Sequence, residues 1–322
     1  MRGAPLVVML PAIRSLLGGL LGLAACGSST APSTAAPRIA SALAATLTEA
    51  DRAHAPWRCT AEDLPELATA TIGAWQVAHN TLSHAAASQL VIGVVADAGG
   101  ADPKTLAALG RLRAKLDDQK ADLVLALGGM GVTQRELEAT LTVLARPSSP
   151  VVALPGDLES VTAQTAAIAA LATKGAAVLD GRLVRWIELP SLTIGTVAGV
   201  GTPGPDGCTW QPGDVLQLYQ ELAARPGLRI AALAGAPREM VTGEATGDVA
   251  LVPGPAIDVV VHGPTRPAPS AAQSGGRDGA RITLSPGTAD ASPRLPETRA
   301  PSAALLIIKG STWTWRPLIE KP

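Results

Sequence analysis

The chain has 322 residues, room for one large domain or two small ones, and a formal net charge of −1 at pH 7. That balance excludes the basic footprint of a nucleic-acid binder. Apolar residues make up 47% of the sequence but aromatics only 2%, with no Phe, so Ala, Val and Leu must fill the core.

At the amino terminus, Arg2 and Arg14 flank an apolar start whose main run is Leu16–Leu23. The run is too short to span a bilayer as a helix and suits the h-region of a secretory signal. It leads into Leu23-Ala24-Ala25-Cys26, which resembles the lipobox of bacterial lipoproteins. The resemblance implies a signal peptide over residues 1–25, cleavage before Cys26, and diacylglycerol on the Cys26 thiol. It also implies export and anchoring to a membrane, which several acyl chains on one residue make stable. The alternative is an ordinary signal peptide with an incidental cysteine. Gly27 after Cys26, in place of Asp, resembles lipoproteins sent to the outer membrane of a diderm bacterium. Residues 26–37 are small, polar and proline-bearing, the composition of a flexible linker.

Residues 38–88 form the next segment. Ile39–Ala53 and Leu64–Leu82 are rich in Ala and are expected as helices, joined through His54–Pro65, with Trp57 and Trp75 packing on the main body. Cys59 lies in that joint and Cys208 in the loop Gly199–Gly213. In an oxidising compartment the pair is expected as a disulfide, with two buried thiols as the alternative.

From Gln89 the pattern becomes one of alternating strands and helices. Gln89–Gly100 is an aliphatic run ending on Asp97 and two glycines, as a buried strand of an α/β sheet would be. Asp102-Pro103 starts a helix with Leu106, Leu109, Leu112 and Leu116 on one face and a charge run including Arg113 largely elsewhere. Ala121–Leu127 is a second strand, ending in Gly128-Gly129-Met130-Gly131. Thr133 and Glu136 form a capping box for a helix that buries Leu137, Leu141 and Leu144. Pro150–Leu154 is a third strand, and a helix through Ile168 and Leu171 follows Gly156-Asp157. Further strands are expected over Ala177–Leu179, Leu183–Leu189, Leu192–Ala198, Leu228–Ala234, Ala256–Val261, Arg281–Leu284, Ala303–Lys309 and Thr312–Arg316. Asp214 and Gln217 are expected to cap a helix through Leu218 and Leu222. Pro264–Gly279 has the low complexity of a mobile surface insert.

In sheets of this kind chemistry gathers where the strands end. Asp97-Ala98-Gly99, Gly128-Gly129, Gly156-Asp157-Leu158-Glu159, Gly235-Ala236 and His262-Gly263-Pro264-Thr265-Arg266 are the tips in order, followed by Ser285-Pro286-Gly287-Thr288. This order resembles the calcineurin-like metallophosphoesterase family. The resemblance spans about residues 89–316 and implies a four-layer α/β sandwich, here with an N-terminal helical segment. In that family the tips read Asp-x-His, Gly-Asp, Gly-Asn-His-Asp/Glu, Gly-His and Gly-His-x-His, and they hold two divalent ions that clamp a phosphate and activate water. Here Asp97 remains, while Gly99, Gly129, Leu158, Ala236, Pro264 and Arg266 stand at positions where the family has ligands or a catalytic His. Asp157 can replace the Asn as an oxygen ligand, and Glu159 matches the terminal acid. Asp97 and Asp157 are thus the vestigial metal positions, unless they simply cap turns or helices. His262 precedes its glycine and is not a ligand position; His54, His79 and His84 lie outside the motifs.

No Walker loop, dinucleotide fingerprint, nucleophile elbow or paired CxxC is present. Gly128–Gly131 offers backbone amides to an anion, as a weak signal. The resulting expectation is a lipid-anchored domain, residues 89–322, with a binding or structural role in the cell envelope and no cofactor. Its partners would be the membrane, through the anchor, and an envelope protein or anionic ligand. The alternative is a divergent metal-dependent phosphoesterase, for which a divalent metal would be required.

Overall fold

The computed structural model describes residues 59, 66–84, 89–201, 207–241, 244–264, 268–276, 279–292 and 300–320, all within the unit Thr34–Pro322. The signal region, Cys26, Trp57, the expected helix Ile39–Ala53 and Arg266 lie outside these residues.

The expected helix over Leu64–Leu82 is a correction. Three antiparallel strands take its place: β1 (Leu67–Ile72), β2 (Trp75–His79) and β3 (Thr81–His84). Ala70, Ala74 and Ala78 recur every four residues and suggest a helix. Burial instead falls on Leu67, Ala70, Ile72, Trp75 and Val77, close to the alternation of a strand with one covered face. Two-residue connections at Gly73-Ala74 and His79-Asn80 reverse the chain, with His79 at φ +53°. His79 pairs with Glu66 at 2.5 Å, and His84 meets Trp75 edge-on, 4.9 Å between ring centroids.

The remaining apolar runs form two sheets. β4 (Leu90–Val95), β5 (Leu123–Leu127), β6 (Val151–Leu154) and β7 (Val178–Asp180) are parallel. Between them run helices α1 (Pro103–Asp118), α2 (Gln134–Leu144) and α3 (Val161–Thr173). β8 (Trp186–Leu189) and β9 (Leu192–Val197) lead to helix α4 (Pro212–Ala223) and then β10 (Leu228–Leu233). A small hairpin of β11 (Glu239–Val241) and β12 (Glu244–Thr246) precedes β13 (Val259–His262), β14 (Ser270–Gly276) and β15 (Gly279–Ser285). β16 (Ser302–Lys309) and β17 (Thr312–Ile319) close the fold as a hairpin. One sheet has the order β17-β16-β4-β5-β6-β7; the other runs β1-β2-β3-β8-β9-β10-β13-β15-β14. Since β3 pairs with β8, the folded domain begins before Gln89, at least as early as Leu67.

Strand alternation separates the layers. In β10, Ile230 and Ala232 join the core shared with the six-stranded sheet, while Ala231 and Leu233 pack with Val215, Leu218 and Leu222 of α4. Leu109, Leu112 and Leu116 of α1 are fully buried, each contributing about 1.5–3 kcal/mol relative to exposure. The result is helix, sheet, sheet and helix: a four-layer α/β sandwich. No helix among the described residues is long and apolar enough to cross a membrane.

Three local expectations change. The box of α4 is made by Gln211 and Asp214, so Asp214 is its third helical residue rather than its cap. Part of the low-complexity insert is strand β14, antiparallel to β15 at the sheet edge, because Ser270–Gly276 can satisfy its backbone groups there. Arg113, placed by its charge on the solvated face, is 1% exposed. The cap of α1 is as expected, with Asp102 accepting from the Lys104 amide. So is the Thr133–Glu136 box of α2.

Cys59 and Cys208 are bonded, with Cα atoms 5.6 Å apart. The cystine packs with Val161 and Ala198, and the Cys59 amide donates to the Thr209 carbonyl at 2.7 Å. It fixes the β9–α4 loop beside Pro155, whose carbonyl accepts from Gly199 N.

Candidate functional site

The carboxyl ends of β4, β5, β6, β10 and β13 converge on a cleft of about 270 Å³. Asp97, Gly129, Asp157, Ala236 and Pro264 all line it, so the structure brings together the tips that the sequence singles out.

Asp97 adopts φ +50°, a left-handed conformation that Asp tolerates better than most residues. Its amide donates to Gly128 O at 2.8 Å, and its carbonyl accepts from Thr288 Oγ1 at 2.7 Å and from Asp290 N at 2.9 Å. Burial pushes the Asp97 carboxyl above its usual range; a bond from Thr288 opposes this, and the nearby Asp290 and Asp157 raise it further. Asp157 is exposed and lines the cleft from the loop after β6.

Glu159 is 1% exposed and lies beneath the loops. One carboxyl oxygen accepts from Met130 N at 2.5 Å and the other from Gly156 N at 2.8 Å. Burial raises its pKa, against the pull of these amide bonds. The glycine loop Gly128–Gly131 therefore already serves the carboxyl group of Glu159. An external anion does not find the Met130 amide free.

Two glycines show why the family's ligands have no room. A Cβ on Gly129, at φ +71°, would come within 2.7 Å of Asp97 Cα. A Cβ on Gly99, at φ +65°, would meet the Asp290 carboxylate at 2.7 Å. Asp290 is in turn held by Thr105 Oγ1 at 3.0 Å and by Ser292 N at 2.6 Å. Thr288 belongs to the Ser285–Thr288 turn noted in the sequence, whereas Asp290 escaped that reading; its only signal was its place two residues past the turn. His262 is fully buried, with Nδ1 2.6 Å from Gly263 O, in keeping with a packing role.

A two-metal centre needs a bridging group and several donors for each ion. Gly129, Ala236 and Pro264 supply none through their side chains, and Asp97 and Asp157 are the carboxylates on the cleft wall. Among the described residues no group of three or more His, Cys, Asp or Glu side chains can hold a metal ion. The residues present do not fit a two-metal centre.

No family model and no curated protein matches the sequence. Solved structures do match. A dimetal phosphatase from Danio rerio aligns with a TM-score of 0.50 and 9% identity, over 71% of this chain and 98% of that one. A Vps29 variant from Entamoeba histolytica aligns with a TM-score of 0.32 and 16% identity, over 72% of this chain and 100% of that one. The fold is metallophosphoesterase-like. At these identities the likeness extends to the fold alone, and the cleft has to be judged on its own residues.

Proposed function

We propose that this chain is a membrane-anchored lipoprotein whose metallophosphoesterase-like domain binds a partner or serves a structural role in the cell envelope without hydrolysing phosphate esters. The observation that supports it is the backbone contact at Gly129 and Asp97, which occupies the room a bridging carboxylate would need. The anchor rests on the lipobox resemblance at Cys26 and the envelope on the export signal before it.

The test is hydrolysis of p-nitrophenyl phosphate and bis-p-nitrophenyl phosphate by the full chain with manganese, zinc or iron added. The expected result is no turnover above the metal blank. Metal-dependent turnover that disappears in Asp97→Ala or Asp157→Ala would establish a divergent phosphoesterase instead. In parallel, the protein made in a bacterial host should enter the detergent phase, and Cys26→Ser should not. Wild-type protein in the aqueous phase would sink the anchored reading.

A further inference from the structure

At the end of the molecule away from the cleft, the last turn of α1, the residues leading into β5 and β6, and the β1–β2 turn enclose a second pocket of about 530 Å³. That size is within the range of small-molecule sites. Its wall includes Trp75, His84, Arg113, Lys120 and Arg146.

Arg113 is the informative residue. Its Nη2 pairs with Asp117 Oδ1 at 3.0 Å, while Nε and Nη1 are buried and find no hydrogen-bond partner among the described residues. Buried donors without acceptors are costly, and a guanidinium more so than a neutral group. Asp117 does not neutralise the site, because its other oxygen accepts from Arg146 Nε at 3.1 Å and Nη2 at 2.9 Å. One carboxylate is thus shared between two guanidinium groups. Of the other charges on the wall, Lys120 adds a cation, and Asp122 is an anion with one oxygen accepting from Val91 N at 2.8 Å. The fixed charges sum to positive, whereas the cleft presents Asp97 and Asp157.

From this geometry we infer that the pocket binds a small phosphate-type oxyanion, with Arg113 as its buried donor and Arg146 and Lys120 at its mouth. Arginine suits such a ligand because its guanidinium stays charged and its N–H groups form strong charge-assisted bonds to phosphate oxygens. Nε–H and Nη1–H point to different sides of the guanidinium and are shielded from water, so the inferred site uses one of them as a single donor and requires Arg113 to change rotamer on binding. The inference stands independently of the proposed function, since it uses no residue of the cleft.

Titration calorimetry of the full chain with inorganic phosphate, at constant ionic strength, tests it. Saturable binding at one site with Kd of about 1 mM or tighter is expected, weakened about tenfold or more in Arg146→Ala. Arg113→Met should abolish it. That variant removes an incompletely paired buried charge, so it should remain folded; if it does not, Arg146→Ala still decides. Arg229→Ala, which removes a charge paired with Asp258 elsewhere, should bind as wild type does. Absence of saturable binding, or equal binding by wild type, Arg113→Met and Arg146→Ala, would overturn the inference.

Discussion

Glu159 shows how a single carboxyl can occupy a loop built for anions. Its two oxygens join the β5 and β6 loops through Met130 N and Gly156 N, and its burial is nearly complete. Two effects oppose each other there: desolvation favours the neutral acid, and the amide bonds favour the carboxylate. Desolvation is the larger, so the folded pKa lies above the ordinary 4.5. For an acid shifted upward, the native state holds its proton more tightly than the unfolded chain, and stability falls as pH rises from 4.5 through the folded pKa. Glu159→Gln cannot titrate and provides the reference. The margin of wild type over this variant in urea unfolding should shrink from below pH 4.5 toward neutrality. A margin that grows with pH would mean that the amide bonds outweigh desolvation.

At the level of elements, the strands and helices from Gln89 onward were legible because local signals agree with tertiary placement. Asp102-Pro103 and Thr133–Glu136 cap the helices they announce, and the aliphatic runs become buried strands. The β1–β3 meander was not, since its alanines carry helical propensity and only pairing to β8 rewards the strand. The cleft was legible as a set of strand-end loops, but not the Asp290 carboxylate that blocks Gly99, which comes from a loop 191 residues beyond it in sequence. Arg113 was hidden for another reason: a helix charge run carries no mark of which member tertiary packing will bury. The disulfide is the element-scale device that can be tested most directly. It closes a separation of 149 residues and holds the β9–α4 loop against Val161. Cys208→Ser should lower unfolding stability by about 2–5 kcal/mol, and reductant should destabilise wild type while leaving the variant unchanged. Equal stability of the two proteins without reductant would show that the bond contributes nothing.

For the whole molecule, the question is whether the sandwich still couples metal binding to folding. A ligand that binds only the native state stabilises it by mass action, so the intact chain reports on its cleft without any assay of turnover. An ion held with Kd of about 10 μM and supplied at about 1 mM would add about 2.7 kcal/mol. For a domain of this size that corresponds to a rise in Tm of roughly 5–10 °C. The cleft offers carboxylates from Asp97 and Asp157 but no bridging group, and the raised pKa of Asp97 makes the first a poorer ligand near its titration range. The loops after β4, β5 and β6 meet around this cleft through the close approach of Gly129 to Asp97 and of Gly156 to Gly128, and Glu159 ties Gly156 to Met130 without an ion. The expected result is a Tm unchanged by manganese, zinc or chelator. A chelator-reversible rise of several degrees that is lost in Asp97→Ala would place a metal in the cleft after all. The same rise retained in Asp97→Ala and Asp157→Ala would place the ion elsewhere on the chain.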